Sequence, residues 1–149
     1  MRKLKLVFLI SIFATFCANA QILTFSKSKA INFQNTVRSY YELPLLNLDR
    51  ELSTDAQFWA DEMARTDVFD FSDSDYGETL YRLNKSEFIL PRNPYLDAAV
   101  GWLQAYEEPE YYQTLCEDCN YVGYGKSEND FYIYVVAKYD KLYKFTFIE

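Results

Sequence analysis

The sequence contains no histidine, and that absence removes much chemistry at once. Neither a Ser-His-Asp nor a Cys-His nucleophile pair can be assembled, zinc cannot be held through imidazole nitrogens, and there is no imidazole switch near neutral pH. Cysteine is scarce, with three in 149 residues, so the fold must rest mainly on an apolar core. Positive charge is in deficit: 15 lysines and arginines stand against 22 aspartates and glutamates, a net −7. Binding nucleic acid demands cationic neutralisation of phosphates, which this balance argues against. No internal repeat, low-complexity run or Gly/Ser linker interrupts the chain. What it does have is apolar and aromatic mass. Half of the residues are hydrophobic, with 12 Phe, 14 Tyr and 2 Trp, too many for a disordered chain, and the length suits one domain.

Residues 1–20 read as a secretory signal peptide. Arg2, Lys3 and Lys5 precede an apolar run from Leu6 to Phe16, and Ala18-Asn19-Ala20 supplies a small-x-small cleavage pattern before Gln21. The run is short for a bilayer span, which needs about 20 apolar residues. No later stretch could cross a membrane, so the expected mature product is residues 21–149, secreted and not membrane-spanning. Its balance is 12 basic against 22 acidic residues, −10 over 129 residues. Of the cysteines, Cys116 and Cys119 remain, and an even pair in an oxidising compartment favours one disulfide. So short a loop contributes about 2 kcal/mol. Glu117 and Asp118 inside the loop disfavour thiolate, which makes the bond structural and not redox-active.

Helical periodicity dominates the first two-thirds of the mature chain. Ala30, Phe33, Val37, Tyr40 and Tyr41 share one face of a first helix that ends near Pro44. Leu52, Ala56, Trp59, Ala60 and Met63 stripe a second, with Asp49 as its N-cap. Asn93-Pro94 opens a third, burying Leu96, Ala99, Leu103 and Tyr106 with Trp102 beside them. Pro109 opens a short fourth over 110–115. The period then changes. Residues 121–124, 131–139 and 142–148 read as strands, separated by turns at 127–130 and Asp140-Lys141. Helices first and antiparallel strands last imply an α+β fold with helices packed on a sheet. Most of the tyrosines in Tyr40-Tyr41, Tyr111-Tyr112 and Tyr132/Tyr134 are expected in the core or on the sheet.

Six elements then recur in order: Asn35-Thr-Val-Arg38; the helix-two segment from Leu45 to Ala64; Phe69-Asp-Phe71-Ser72 followed by Gly77-Glu78-Thr79-Leu80; Trp102-Leu-Gln-Ala105; Glu110-Tyr-Tyr-Gln113 leading into Val122-Gly-Tyr-Gly125; and Tyr134-Val-Val-Ala-Lys-Tyr139. Together they resemble the CAP superfamily, whose SCP domain is shared by cysteine-rich secretory proteins, venom allergens and plant pathogenesis-related proteins. The corresponding family motifs are N-x-x-R, F-x-H-S, G-E-N-L, W-x-x-E, G-H-Y-T-Q, V-G-C-G and Y-V-V-C-R-Y. Tyr124 and Ala137 stand where many extracellular members have cysteines, a pattern similar to the disulfide-poor Golgi-associated branch. The resemblance covers nearly all of residues 21–149 and implies a three-layer α-β-α sandwich with a small antiparallel sheet.

The resemblance also implies a cleft where two histidines and two glutamates can hold a divalent cation. The matching positions here are Phe71, Glu78, Ala105 and Glu110, so one of four keeps its identity. Phe71 and Ala105 offer no lone pair, and zinc at such a site wants imidazole nitrogen. The expectation is that the family's metal site is lost, that no cofactor is used, and that Phe71, Glu78, Ala105 and Glu110 line a degenerate binding cleft. Asp70, Asp73 and Asp75 would form its solvated acidic rim. Asn84-Lys85-Ser86 is a glycosylation sequon. The expected function is that of a secreted, non-enzymatic binding protein for a lipid or sterol, or for a protein partner. The competing reading is a cation-assisted hydrolase using Glu78 and Glu110.

Overall fold

The computed structural model describes residues 27–87 and 92–144. The expected signal peptide lies outside the described residues, as do positions 145–148 of the expected last strand. Helix α1 covers 27–40 and a two-residue strand β1, Asn47–Leu48, follows it. Helix α2 spans Arg50–Thr66 and strand β2 Gly77–Asn84, running into a 3₁₀ turn over Lys85–Glu87. Helices α3, Pro94–Gln104, and α4, Pro109–Thr114, precede the hairpin strands β3, Tyr121–Glu128, and β4, Tyr132–Tyr139. The sheet order is β1-β3-β4-β2. β4 is central and antiparallel to both neighbours, while β1 adds a parallel step on β3.

Alternation along β4 creates the layers. Ile133, Val135, Ala137 and Tyr139 join Ala30 and Ile31 of α1 and Tyr95, Ala98, Ala99 and Trp102 of α3 in one core. Tyr134 and Val136 point the other way, onto Ala56, Ala60 and Met63 of α2. A strand covered on both faces carries a near-continuous apolar run, which is the pattern of 131–137. The result is the α-β-α sandwich. Two glycines of β3 set how closely α2 lies on the sheet. A Cβ on Gly123 would sit 2.0 Å from the Ser53 nitrogen, and one on Gly125 2.2 Å from the carbonyl carbon of Ala56. Any side chain there meets helix backbone, which cannot rotate away.

The caps form as the sequence predicts. Asp49 accepts from the Leu52 amide at 2.8 Å, and Asn93 accepts from Tyr95 and Leu96 ahead of Pro94. The faces of α1 and α3 need correction. Tyr40 is 82 % exposed and Tyr41 49 %, because the core-facing stripe of α1 is Ala30, Ile31, Gln34 and Arg38, two of them polar and so invisible to a hydrophobic count. In α3 the buried set is Tyr95, Ala98, Ala99 and Trp102. Tyr106 lies beyond the helix and is exposed, and Leu96 and Leu103 are half-buried. β3 continues to Glu128, so Ser127 and Glu128 pair in the sheet and the turn falls over 129–131. Residues 142–144 are not strand. The sheet's second edge is instead β2, whose Gly-Glu start and interspersed polar residues mask its strand character.

The polar residues on the inner face of α1 bind distant backbone groups and tyrosine hydroxyls. Arg38 is fully buried and donates to the carbonyls of Pro44 at 2.8 Å, Thr114 at 2.9 Å and Cys119 at 3.1 Å. Asn35 grips Leu46 twice, accepting from its amide at 2.8 Å and donating to its carbonyl at 2.9 Å. Gln34 completes the set, accepting from Tyr124 at 2.7 Å and donating to the Tyr139 hydroxyl at 3.1 Å. Burial pushes the Tyr124 phenol well above its ordinary range. One helix face thus fastens the entry to β1, the end of α4 and the Cys116–Cys119 disulfide loop. Replacing Arg38 with Met leaves three carbonyls unanswered and is expected to cost roughly 3–4 kcal/mol, read by urea unfolding. Gly125→Ala is expected to lose about 3 kcal/mol in the same assay, from backbone overpacking.

Candidate functional site

At the end of β2 nearest α4 lies a recess of about 250 Å³. Four segments build it. The loop after α2 supplies Phe71, Ser72, Ser74 and Tyr76, β2 supplies Glu78, α4 supplies Pro109 and Gln113, and the segment after β4 supplies Leu142 and Tyr143. Gly77 allows the approach, since a Cβ there would lie 2.3 Å from both Gln113 Nε2 and the Lys141 carbonyl oxygen. Gln113 then ties the last segment down, donating to the Lys141 carbonyl at 2.9 Å and accepting from the Tyr143 amide at 2.7 Å.

Glu78, which lines the recess, is held in an ion pair. Glu78 and Lys138 are directly opposite in the β2–β4 register, and Lys138 Nζ meets Glu78 Oε2 at 2.5 Å. Their side chains are 5 % and 1 % exposed. Ser72 closes over the carboxylate, donating its amide to Oε1 at 3.1 Å and its hydroxyl to Oε2 at 2.5 Å. The Lys138 ammonium also donates to the hydroxyls of Ser72 and of Ser74, the latter at 3.0 Å. It reaches Asp55 Oδ2 of α2 at 3.2 Å as well. An ammonium among two carboxylates and two hydroxyls has no lone pair to accept a proton from Ser72. Glu78 shares its oxygens among three donors. Hydroxyl, lysine and glutamate therefore hold one another in one network.

Of the four residues expected in the cleft, the recess brings Phe71 and Glu78 together. Ala105 caps α3 and Glu110 sits in the first turn of α4, both half-buried, and neither lines the recess. Asp70, Asp73 and Asp75 are exposed on the loop. Among the described residues, no group of three or more acidic or cysteine side chains is arranged to hold a metal ion. Asn84 ends β2, half-buried, its Oδ1 accepting from the Ser86 hydroxyl at 2.9 Å. Sequence reasoning missed Lys138, Ser72, Ser74 and Gln113. Lys138 had a signal: a lysine inside an otherwise apolar central strand must find a buried partner. Removing one partner leaves an uncompensated buried charge. Lys138→Met is thus expected to cost about 3–5 kcal/mol, and the double variant Glu78→Gln/Lys138→Met much less, both measured by urea unfolding.

Comparison with solved structures places this architecture. NaASP2, solved with Zn²⁺, superposes with a TM-score of 0.67 at 15 % identity, over 78 % of this chain and 80 % of that one. BmVAL-1 gives 0.67 at 16 %, covering 81 % and 79 %. Venom allergen-like protein 4 of Schistosoma mansoni gives 0.55 at 15 %, covering 81 % and 95 %. At such identities these likenesses concern the fold. No curated protein matches the sequence. The sequence model of the cysteine-rich secretory protein family, CAP, matches residues 31–139. That interval holds α2, the recess loop and all four strands; with a three-layer sandwich around them, the chain belongs to the CAP family.

Proposed function

We propose that this is a secreted, non-enzymatic CAP-domain protein of residues 21–149, released from a signal peptide over 1–20, that works by binding a protein partner. The observation that carries the reading is the state of Glu78. Both of its oxygens are engaged by Ser72 and the buried Lys138 ammonium, so a divalent cation would have to displace an internal cation already neutralising the site. Zinc would find no imidazole nitrogen, since the chain has no histidine. The family's metal site is accordingly lost. The hydrolase alternative draws no support from the geometry, because Glu78 is held in an ion pair and Glu110 does not line the recess.

Ligand size also bears on the choice. Small-molecule sites usually offer roughly 300–1,000 Å³, more than the 250 Å³ recess beside Glu78. That volume suits a side chain of a partner better than a sterol. No helix among the described residues is long and apolar enough to cross a membrane. Isothermal titration of the purified mature chain with calcium, magnesium and zinc is expected to show no stoichiometric binding, and lipid extraction of native material no co-purifying lipid. Tight binding of a metal, abolished by Glu78→Gln, would restore the metal-assisted reading. A stoichiometric lipid would replace the protein partner.

A further inference from the structure

Beside the recess, tyrosines from three separate parts of the chain meet in one surface. Tyr40 and Tyr41 at the end of α1 are edge-to-face at 5.3 Å, and the neighbouring Tyr41 side chain pushes the phenol pKa of Tyr111 on α4 up to about 12. Tyr111 is in turn edge-to-face with Tyr106 at 5.2 Å and Tyr112 at 5.6 Å. Tyr112 stacks on Tyr143 at 5.7 Å, 18° from parallel, and Tyr143 lines the recess. The ladder is thus continuous with the candidate site. Its outer rings face solvent: Tyr40 and Tyr106 are 82 % and 69 % exposed and Tyr41 is half-exposed, while Tyr143 at the other end packs against the core. Neighbouring rings hold each face in place, so little side-chain entropy remains to be lost on docking.

The charge around the ladder has one sign over most of its length. Glu42 follows Tyr41, and Glu107, Glu108 and Glu110 run between Tyr106 and Tyr111. No lysine or arginine occurs in 39–49 or 93–125; Lys141 and Lys144 flank only the Tyr143 end. Glu42 and Glu107 adopt left-handed backbone, φ 57° and 68°, where glycine is the unstrained choice. Both corners therefore keep a carboxylate next to a ladder tyrosine at the expense of backbone ease. Tyrosine faces flanked by carboxylates are complementary to an ammonium or guanidinium group, which the ring attracts over its face and the carboxylates attract at longer range.

We infer that the tyrosine ladder is a docking surface for an extended, arginine- or lysine-bearing segment of a partner polypeptide. This rests on the protein-binding reading above and adds the partner's chemistry. The ladder receives the cationic side chains and the adjoining recess takes one neighbouring apolar side chain against Phe71 and Leu142.

The test is fluorescence polarisation of the mature chain with a labelled glycine-spaced tetra-arginine peptide at 150 mM salt, against its glutamine counterpart and octaproline. Saturable binding of the arginine peptide is expected, with neither control bound. The double variant Tyr106→Ser/Tyr111→Ser, with native thermal unfolding verified, leaves net charge unchanged and is expected to weaken binding about tenfold. Tyr106→Phe/Tyr111→Phe keeps the rings and should lose no more than about twofold. Absence of arginine-peptide binding, equal binding of octaproline, or a serine variant that binds like the parent would each overturn the inference. The last of these would mean adsorption by net charge alone. Such a failure leaves the wider reading intact as long as the chain takes up neither metal nor lipid, whereas uptake of either overturns that reading itself.

Discussion

Across the β2–β4 ladder, Lys138 and Glu78 face each other at 2.5 Å with almost no contact with solvent. A charge so deeply placed is tolerable only if each member satisfies the other and the leftover protons and lone pairs find further partners. Ser72, Ser74 and Asp55 meet that demand. In doing so they determine the path of the loop after α2, the seating of α2 against β4 and the shape of the recess. The loop returns over the pair because its amide and hydroxyls are needed there. Phe71 and Tyr76 come with it and form the apolar rim.

The mutual engagement of these groups is also what the proposed non-catalytic role rests on. Catalytic carboxylates and nucleophiles depend on groups left with something to give: a lone pair, a proton, or an open coordination position. Here the lysine, the serine and the glutamate are mutually engaged. What the recess presents to solvent is its shape and the apolar surface of Phe71, Leu142 and Tyr143, on which the proposed binding role draws. The tyrosine ladder extends that surface away from the pair, over α4 and the end of α1.

Much of the fold was readable because it depends on local pattern. The α2 stripe, the Asp49 and Asn93 caps, the helix at Pro109 and the run of β4 all arise from spacing, and the ordered motifs led to the right family. The illegible parts share a different cause. The stripe of α1 was misplaced because Gln34 and Arg38 are buried for hydrogen bonds to distant carbonyls and hydroxyls, which no hydrophobic count registers. β2 went unread because a strand begun by Gly77-Glu78 owes its place to β4, not to its own propensity. The cleft expected from four aligned positions depends on how distant segments dock, which alignment alone does not fix. Phe71 and Glu78 line the recess, and Ala105 at the C-cap of α3 and Glu110 in the first turn of α4 stand outside its lining.

By itself, the sequence determined the chemical repertoire and the local elements. Without histidine there is no imidazole, and with these periodicities the helices and the central strand follow from 3.6- and 2-residue repeats. Tertiary structure alone decided which cation answers Glu78 and which tyrosines become one surface. Lys138 lies 60 positions from Glu78, and the ladder joins residues of α1, α4 and the segment after β4. Such pairings depend on strand register and helix docking, which arise when the layers close and are encoded in no single stretch of chain.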